Sequence, residues 1–89
     1  MSHITIPAAV VADNRINKNS LRLLTHLYKL HAEQKEFIVH EALGSLNMTY
    51  KAYSRARDGL FNLNYIAPYE SDPRRVPWKL SEKAINLME

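Results

Sequence analysis

Apolar residues recur along residues 21–31 at the spacing of a helix that is packed on more than one side. Two adjoining rows make up the pattern: Leu21, Leu24, Tyr28 and His31, and beside them Leu23, Leu27 and Leu30. A stripe this wide is typical of a central helix that neighbours contact from two directions. We therefore predict a long helix here, capped at its start by Asn19 or Ser20 and ended by residues 33–36.

A second amphipathic helix is predicted to run from Thr49 to about Leu63. Its apolar positions follow i, i+3, i+7 and i+10 spacing: Tyr53, Ala56, Leu60 and Leu63. Thr49 is a favourable N-cap residue. Before it, Asn47 suits a tight turn after a short helix at residues 40–46, because asparagine tolerates the left-handed backbone conformation. Asn64 suits the same conformation just after the second helix.

Shorter elements flank these two helices. Pro7 favours the first turn of a short helix over residues 6–12, and Ser81 favours the start of a last helix. Three runs have the composition of strands: residues 37–39, 65–69 and 76–80. The sequence thus predicts an α+β fold that is mainly helical, with two short strands near its end.

The size and composition of the chain narrow the classes of protein to which it can belong. Its 89 residues suffice for one modest core, so we expect residues 1–89 to form a single domain. It contains no cysteine, which excludes disulfide scaffolds and thiolate metal sites and fits a cytoplasmic protein. The longest apolar run covers residues 6–12, far short of the roughly 20 residues that span a membrane. We expect no secretory signal at the start.

Positive charge is concentrated in the later part of the chain. The formal net charge is +3. Residues 1–48 carry five basic and four acidic side chains, whereas residues 49–83 carry seven basic and four acidic ones. This bias favours an acidic partner and predicts that a polyanion would bind through the later half.

Residues 46–56 read Leu-Asn-Met-Thr-Tyr-Lys-Ala-Tyr-Ser-Arg-Ala, and Leu60, Leu63 and Asn64-Tyr65-Ile66 follow. This segment resembles the winged helix-turn-helix DNA-binding domains. Both glycine positions of the family pattern are asparagine here, which also supports a positive φ. Residues 78–84, Trp-Lys-Leu-Ser-Glu-Lys-Ala, resemble the end of the family's wing. The resemblance covers about two-thirds of the chain and implies a three-helix core with a small antiparallel β-wing.

The resemblance also implies roles for individual residues. In this superfamily the second helix of the motif enters the major groove and the wing contacts the backbone nearby. Carried across, the helix would bind DNA through Thr49, Tyr50, Lys51, Ser54, Arg55 and Arg57. The wing would add Arg74, Arg75 and Lys79. The implied function is sequence-specific binding of double-stranded DNA, as in a small transcriptional regulator.

The helix pattern by itself is compatible with this role. Lys51, Ser54, Arg55 and Asp58 share the side of the helix opposite its apolar positions. An arginine fork matches guanine N7 and O6, so Arg55 is the best candidate for reading a base. An ordinary solvated face would have the same pattern. Trp78 is interpreted as an anchor that ties the wing to the helices.

Catalytic and metal-binding chemistry are not indicated. His26 and His31 lie five residues apart, about 140° around a helix, so they do not share a face. Only two glycines are present, Gly44 and Gly59, both inside predicted helices, which excludes a glycine-rich phosphate loop. We expect a protein that is not an enzyme, with no metal, no cofactor and no identifiable small-molecule ligand.

Alternative interpretations remain open at this point. The Ile6-Pro7 start and short first helix also resemble the N-terminal domains of phage and plasmid replication initiators. A winged-helix fold can also serve as a protein-interaction module, with Tyr50, Tyr69 and Trp78 as interface anchors. Apolar residues at the two chain ends, residues 4–11 and 85–88, further suggest a homodimer.

Overall fold

Five helices and one antiparallel strand pair make up the part of the chain that the structure, a computed structural model, describes: residues 6–68 and 78–87. In order, the elements are α1 (Ala8–Val11), α2 (Lys18–Ala32), α3 (Val39–Leu46), α4 (Tyr50–Asn62), β1 (Ile66–Pro68), β2 (Trp78–Leu80) and α5 (Glu82–Asn86). The fold is therefore α+β and mainly helical, as the sequence predicts. No helix within these ranges is both long and apolar enough to cross a membrane.

Side-chain caps define where three of the helices begin. Thr49 caps α4 by accepting from the Ala52 N–H at 3.1 Å, and Ser81 caps α5; both caps are predicted from the sequence. The prediction for α2 is wrong, because its cap is Asn17, which accepts from the Ser20 N–H at 2.7 Å. Ser20 lies inside the helix, with its side chain buried against α4.

Left-handed residues follow three of the helices, α2, α3 and α4. Asn47 (φ 51°) and Asn64 (φ 65°) confirm the predicted conformations after α3 and α4. Gln34 (φ 56°) does the same after α2, which the sequence does not reveal. There the Lys35 N–H donates to the Leu30 carbonyl at 2.9 Å, a hydrogen bond that closes the helix end.

Helix α2 is the centre of the core, as its wide apolar stripe predicts. It packs against α3, α4 and β2. The buried apolar residues are Val10, Leu23, Leu24, Leu27, Tyr28, Phe37, Ala42, Met48, Tyr53, Ala56, Leu60, Tyr65, Ile66, Leu80 and Ala84. His31, the last position of one predicted row, is exposed instead, because it lies in the final turn of the helix beyond the core.

The strand pair packs against α2 through β2, and α5 packs against β2. The register pairs Ile66 with Leu80 and Pro68 with Trp78. These strands confirm the described part of the two predicted runs, while residues 69–77 lie outside the described chain. The Tyr28 hydroxyl donates to the Ala84 carbonyl at 2.8 Å and ties α5 to α2. Burial raises the pKa of Tyr28 to about 12, so this donor stays protonated.

The strand predicted at residues 37–39 does not form. Ile38 is extended (φ −122°, ψ 118°), but its carbonyl already accepts from the Ala42 N–H at 2.9 Å, and Val39 is the first residue of α3. Phe37 is buried and stacks on Tyr53, with ring centroids 6.1 Å apart. Because the backbone of Ile38 and Val39 already forms the start of α3, it cannot pair as a third strand. The apolar side chain of Phe37 packs in the core instead.

A carboxylate joins the segment that follows α1 to the residue that precedes β1. Asp13 accepts from the Arg15 backbone N–H, from both Nε and Nη of the Arg15 guanidinium, and from the Tyr65 hydroxyl at 2.7 Å. Hydrogen bonds from the Arg15 side chain, then from Tyr65 and the Arg15 backbone, hold the pKa of Asp13 well below its usual range. Only 9% of the Asp13 side chain is exposed.

The lowered pKa of Asp13 predicts a stability that depends on pH. Its contribution is complete above the unfolded-state pKa of about 3.9 and is lost as the pH falls below that value toward the folded-state pKa. We expect Asp13→Asn to melt at a lower temperature than the parent chain above pH 5, with a gap that narrows below pH 4. Thermal melts followed by circular dichroism from pH 2.5 to 7 measure this, and a gap that does not depend on pH would contradict it.

A candidate nucleic-acid interface

Helix α4 presents a polar face away from the core. Its buried residues are Tyr53, Ala56 and Leu60, which confirms three of the four predicted inward positions, and Leu63 is half-buried. On the opposite side Lys51, Arg55 and Asp58 are exposed and Ser54 is half-buried. The helical period therefore turns two cations outward together, next to one carboxylate.

The first turn of α4 carries two further candidates. The Thr49 hydroxyl is engaged as the helix cap. Tyr50 is 60% exposed, and its ring centroid lies 5.7 Å from that of Tyr53 in the same helix. A polar cap and an exposed aromatic thus stand at the end of α4 where backbone N–H groups point outward.

Arg57 differs from the other cations of α4, because only 23% of its side chain is exposed. Its guanidinium donates to the Ser54 hydroxyl at 3.1 Å and to the Asp58 carboxylate at 3.2 Å. It also lies over two aromatic rings, 5.5 Å from the centroid of Tyr53 and 5.8 Å from that of Trp78. Although burial opposes its charge, the hydrogen bond with Asp58 helps to raise the pKa of Arg57 above its ordinary value.

These contacts join α4 to β2 along one line of side chains. Trp78 meets Phe61 edge to face, with centroids 5.6 Å apart. We call the series Tyr50, Tyr53, Arg57, Trp78 and Phe61 the aromatic row. Trp78 is half-buried and packs against the core, which agrees with its interpretation as an anchor.

The turn before α4 is held from outside the motif. Arg22 of α2 donates a hydrogen bond through Nη2 to the Leu46 carbonyl at the end of α3. The Met48 N–H donates to the Leu43 carbonyl at 3.1 Å across the left-handed Asn47. Sequence reasoning does not find the role of Arg22, since nothing in the spacing connects residues 22 and 46.

The structure brings together some of the predicted DNA contacts and leaves others apart. Lys51, Ser54 and Arg55 share the outward face, with Thr49 and Tyr50 at its start. Arg57 lies on the flank next to β2 and is held by structural contacts. Lys79 is exposed on β2. Arg74 and Arg75 lie outside the described residues.

Phe61 is the residue that sequence reasoning missed. It is 49% exposed although it is large and apolar. Its spacing of eleven from Tyr50 places both on the same flank of α4, because eleven residues make three helical turns. That spacing was the available signal.

Within residues 6–68 and 78–87, no group of three or more His, Asp or Glu side chains is arranged to hold a metal ion.

Comparisons with protein-family models, with curated proteins and with solved structures found no significant match.

The different surroundings of Arg57 and Arg55 predict different effects on stability. We expect Arg57→Ala to lower the free energy of unfolding by about 1 kcal/mol, because it removes hydrogen bonds and two ring contacts. Arg55→Ala, at an exposed position, should change it by less than about 0.5 kcal/mol. Urea denaturation of both variants measures this. If the two substitutions change the free energy of unfolding equally, the contacts of Arg57 stabilise the fold no more than the surroundings of the exposed Arg55.

Proposed function

We propose that this protein is a winged helix-turn-helix protein that binds double-stranded DNA and acts as a small transcriptional regulator. In this proposal α3, the Asn47 turn and α4 form the helix-turn-helix, α2 completes the three-helix core, and β1 and β2 form the base of the wing. The proposal includes no catalytic activity and no cofactor, and it places the protein in the cytoplasm, with its DNA.

The observation that carries the proposal is the outward face of α4. Lys51 and Arg55 are both exposed there, one turn apart, on a helix whose other side is locked into the core. Such a helix can enter a major groove without rearranging the domain. Because Arg55 is exposed, its guanidinium can reach a base edge, and its fork of donors matches guanine. Lys51 suits a phosphate.

The position of the strand pair supports a wing. β1 packs against α4, and Trp78 at the start of β2 lies beside Arg57 and Phe61. The segment between the strands contains Arg74 and Arg75. In the proposal these two arginines neutralise phosphates beside the groove that α4 reads.

Binding to DNA should be specific through Arg55 and dependent on salt through the wing. We expect affinity for a random duplex pool to fall with a log–log slope of several units between 50 and 200 mM salt. Arg55→Ala should cost about 1–3 kcal/mol on a selected site and relax specificity there. Replacing Arg74 and Arg75 by alanine should weaken all sequences alike and flatten the slope by up to about 2 units.

Fluorescence anisotropy of labelled duplexes, followed by selection of bound sequences, measures these effects. Ala32→Gln, a change at an exposed position of α2 that leaves the net charge unaltered, is the control that should leave binding unchanged. Salt-sensitive binding without an enriched motif would remove the regulatory role and leave an accessory role, such as one in replication. No binding at 50 mM salt would contradict DNA binding and favour a protein-interaction module.

The homodimer that we propose with this function depends on the start of the chain. Ile85 and Leu87 of the last segment are partly buried and pack against the core of their own domain, so α5 offers less free apolar surface than its sequence suggests. Val11 of α1 is 60% exposed. The proposed dimer contact therefore includes α1.

The mass in solution tests the dimer directly. We expect light scattering at tens of micromolar to give about twice the chain mass of 10.3 kDa. Val11→Glu should shift this mass to that of one chain, because a buried charge without a partner opposes association. A mass of one chain for the parent protein would exclude the dimer.

A further inference from the structure

The aromatic row has a buried middle and two exposed ends. Tyr53, Arg57 and Trp78 are held in place by one another and by the core. Tyr50 at one end and Phe61 at the other are 60% and 49% exposed. The core does not account for this exposure, because both rings sit on a helix whose inward face is already filled.

The two exposed rings, Tyr50 and Phe61, lie three helical turns apart on α4. Eleven residues of α-helix separate them, which corresponds to about 16 Å along the axis. Both rings lie on the flank of α4 that faces β2, and the guanidinium of Arg57 lies between them along that line. The surface is thus a ring, a cation and a ring in sequence.

The charge around this surface favours a polyanion. Helix α4 carries Lys51, Arg55 and Arg57 against the single carboxylate of Asp58. Arg57 is paired with Asp58 at 3.2 Å, so the net positive charge beside this flank comes from Lys51 and Arg55, which are exposed on the adjoining face of α4. Exposed aromatic rings beside positively charged side chains can bind single-stranded nucleic acids, because the cations attract the backbone and every base has a face that can stack.

We infer that the flank of α4 formed by Tyr50, Arg57, Phe61 and Trp78 binds single-stranded DNA, with unpaired bases stacked on Tyr50 and Phe61. A duplex keeps its bases stacked on one another, so only unpaired bases can use these rings. This inference rests on the proposed function, because both direct a DNA polyanion to α4. It adds a second mode of binding, to melted or single-stranded DNA, on a flank next to the groove-reading face.

The test compares a single strand with a duplex on the same variants. The probes are a labelled 20-nucleotide oligothymidine and a labelled 20-base-pair duplex, both at 50 mM salt. We expect Phe61→Ala to weaken binding of the single strand about tenfold, within the range for loss of one stacked base. Binding of the duplex should change by less than twofold. Phe61→Tyr should restore single-strand binding, because tyrosine also stacks.

A matched control and an internal reporter sharpen the test. Ile38 is also 49% exposed, but it lies at the start of α3, so Ile38→Ala should leave single-strand binding unchanged. Trp78 is the only tryptophan of the chain and touches Phe61. We expect oligothymidine to quench its fluorescence to saturation, with a midpoint that matches the anisotropy titration.

Each other outcome overturns the inference in a distinct way. If the duplex binds and oligothymidine does not, the stacking surface is wrong while the proposed function stands. If Phe61→Ala weakens both probes equally, Phe61 belongs to the duplex interface. If neither probe binds, the proposed function fails as well, and the aromatic row is left as an anchor for a protein partner.

Discussion

The packing of α2 against α4 is the contact on which the rest of the structure depends. Small residues meet at the crossing: Ser20 is buried, and its hydroxyl lies 3.4 Å from the Ala56 carbonyl. A Cβ on Gly59 would lie 3.4 Å from the same hydroxyl, so the two helices are in van der Waals contact at this glycine. Below this contact, Leu24 and Leu60 are fully buried. The close approach therefore sets the position of α4 relative to everything packed on α2.

This contact determines which side of α4 reaches solvent. Once Tyr53 and Leu60 are in the core, the helical period leaves Lys51 and Arg55 outside. β2 packs on α2 and β1 on α4, so the strand pair is held beside the flank of α4. One core therefore places the polar face and the aromatic flank of α4 side by side. In the proposals, the first would bind a duplex and the second would bind unpaired bases.

The arginine side chains of this protein differ in their contacts. Arg15 is paired with Asp13, whose carboxylate also accepts a hydrogen bond from the Tyr65 hydroxyl. Arg57 is paired with Asp58 and lies over the ring of Trp78 in β2. Arg55 is exposed, which leaves it available for a ligand. The helical period of the sequence already places Arg55, but not Arg57, on the side of α4 opposite the apolar positions. Only the fold shows that residue 57 lies beside Trp78 of β2.

The sequence by itself determined the elements whose causes are local. The periodicity of α2 and α4, the caps Thr49 and Ser81, and the left-handed Asn47 and Asn64 were all predictable, because each depends on neighbours within one helical turn. The tertiary structure alone decided the rest. Residues 37–39 have strand composition, yet the start of α3 and the burial of Phe37 prevent a third strand. The aromatic row joins residues 50–61 to residue 78, and no local rule predicts a contact between side chains that only packing around a common core brings together.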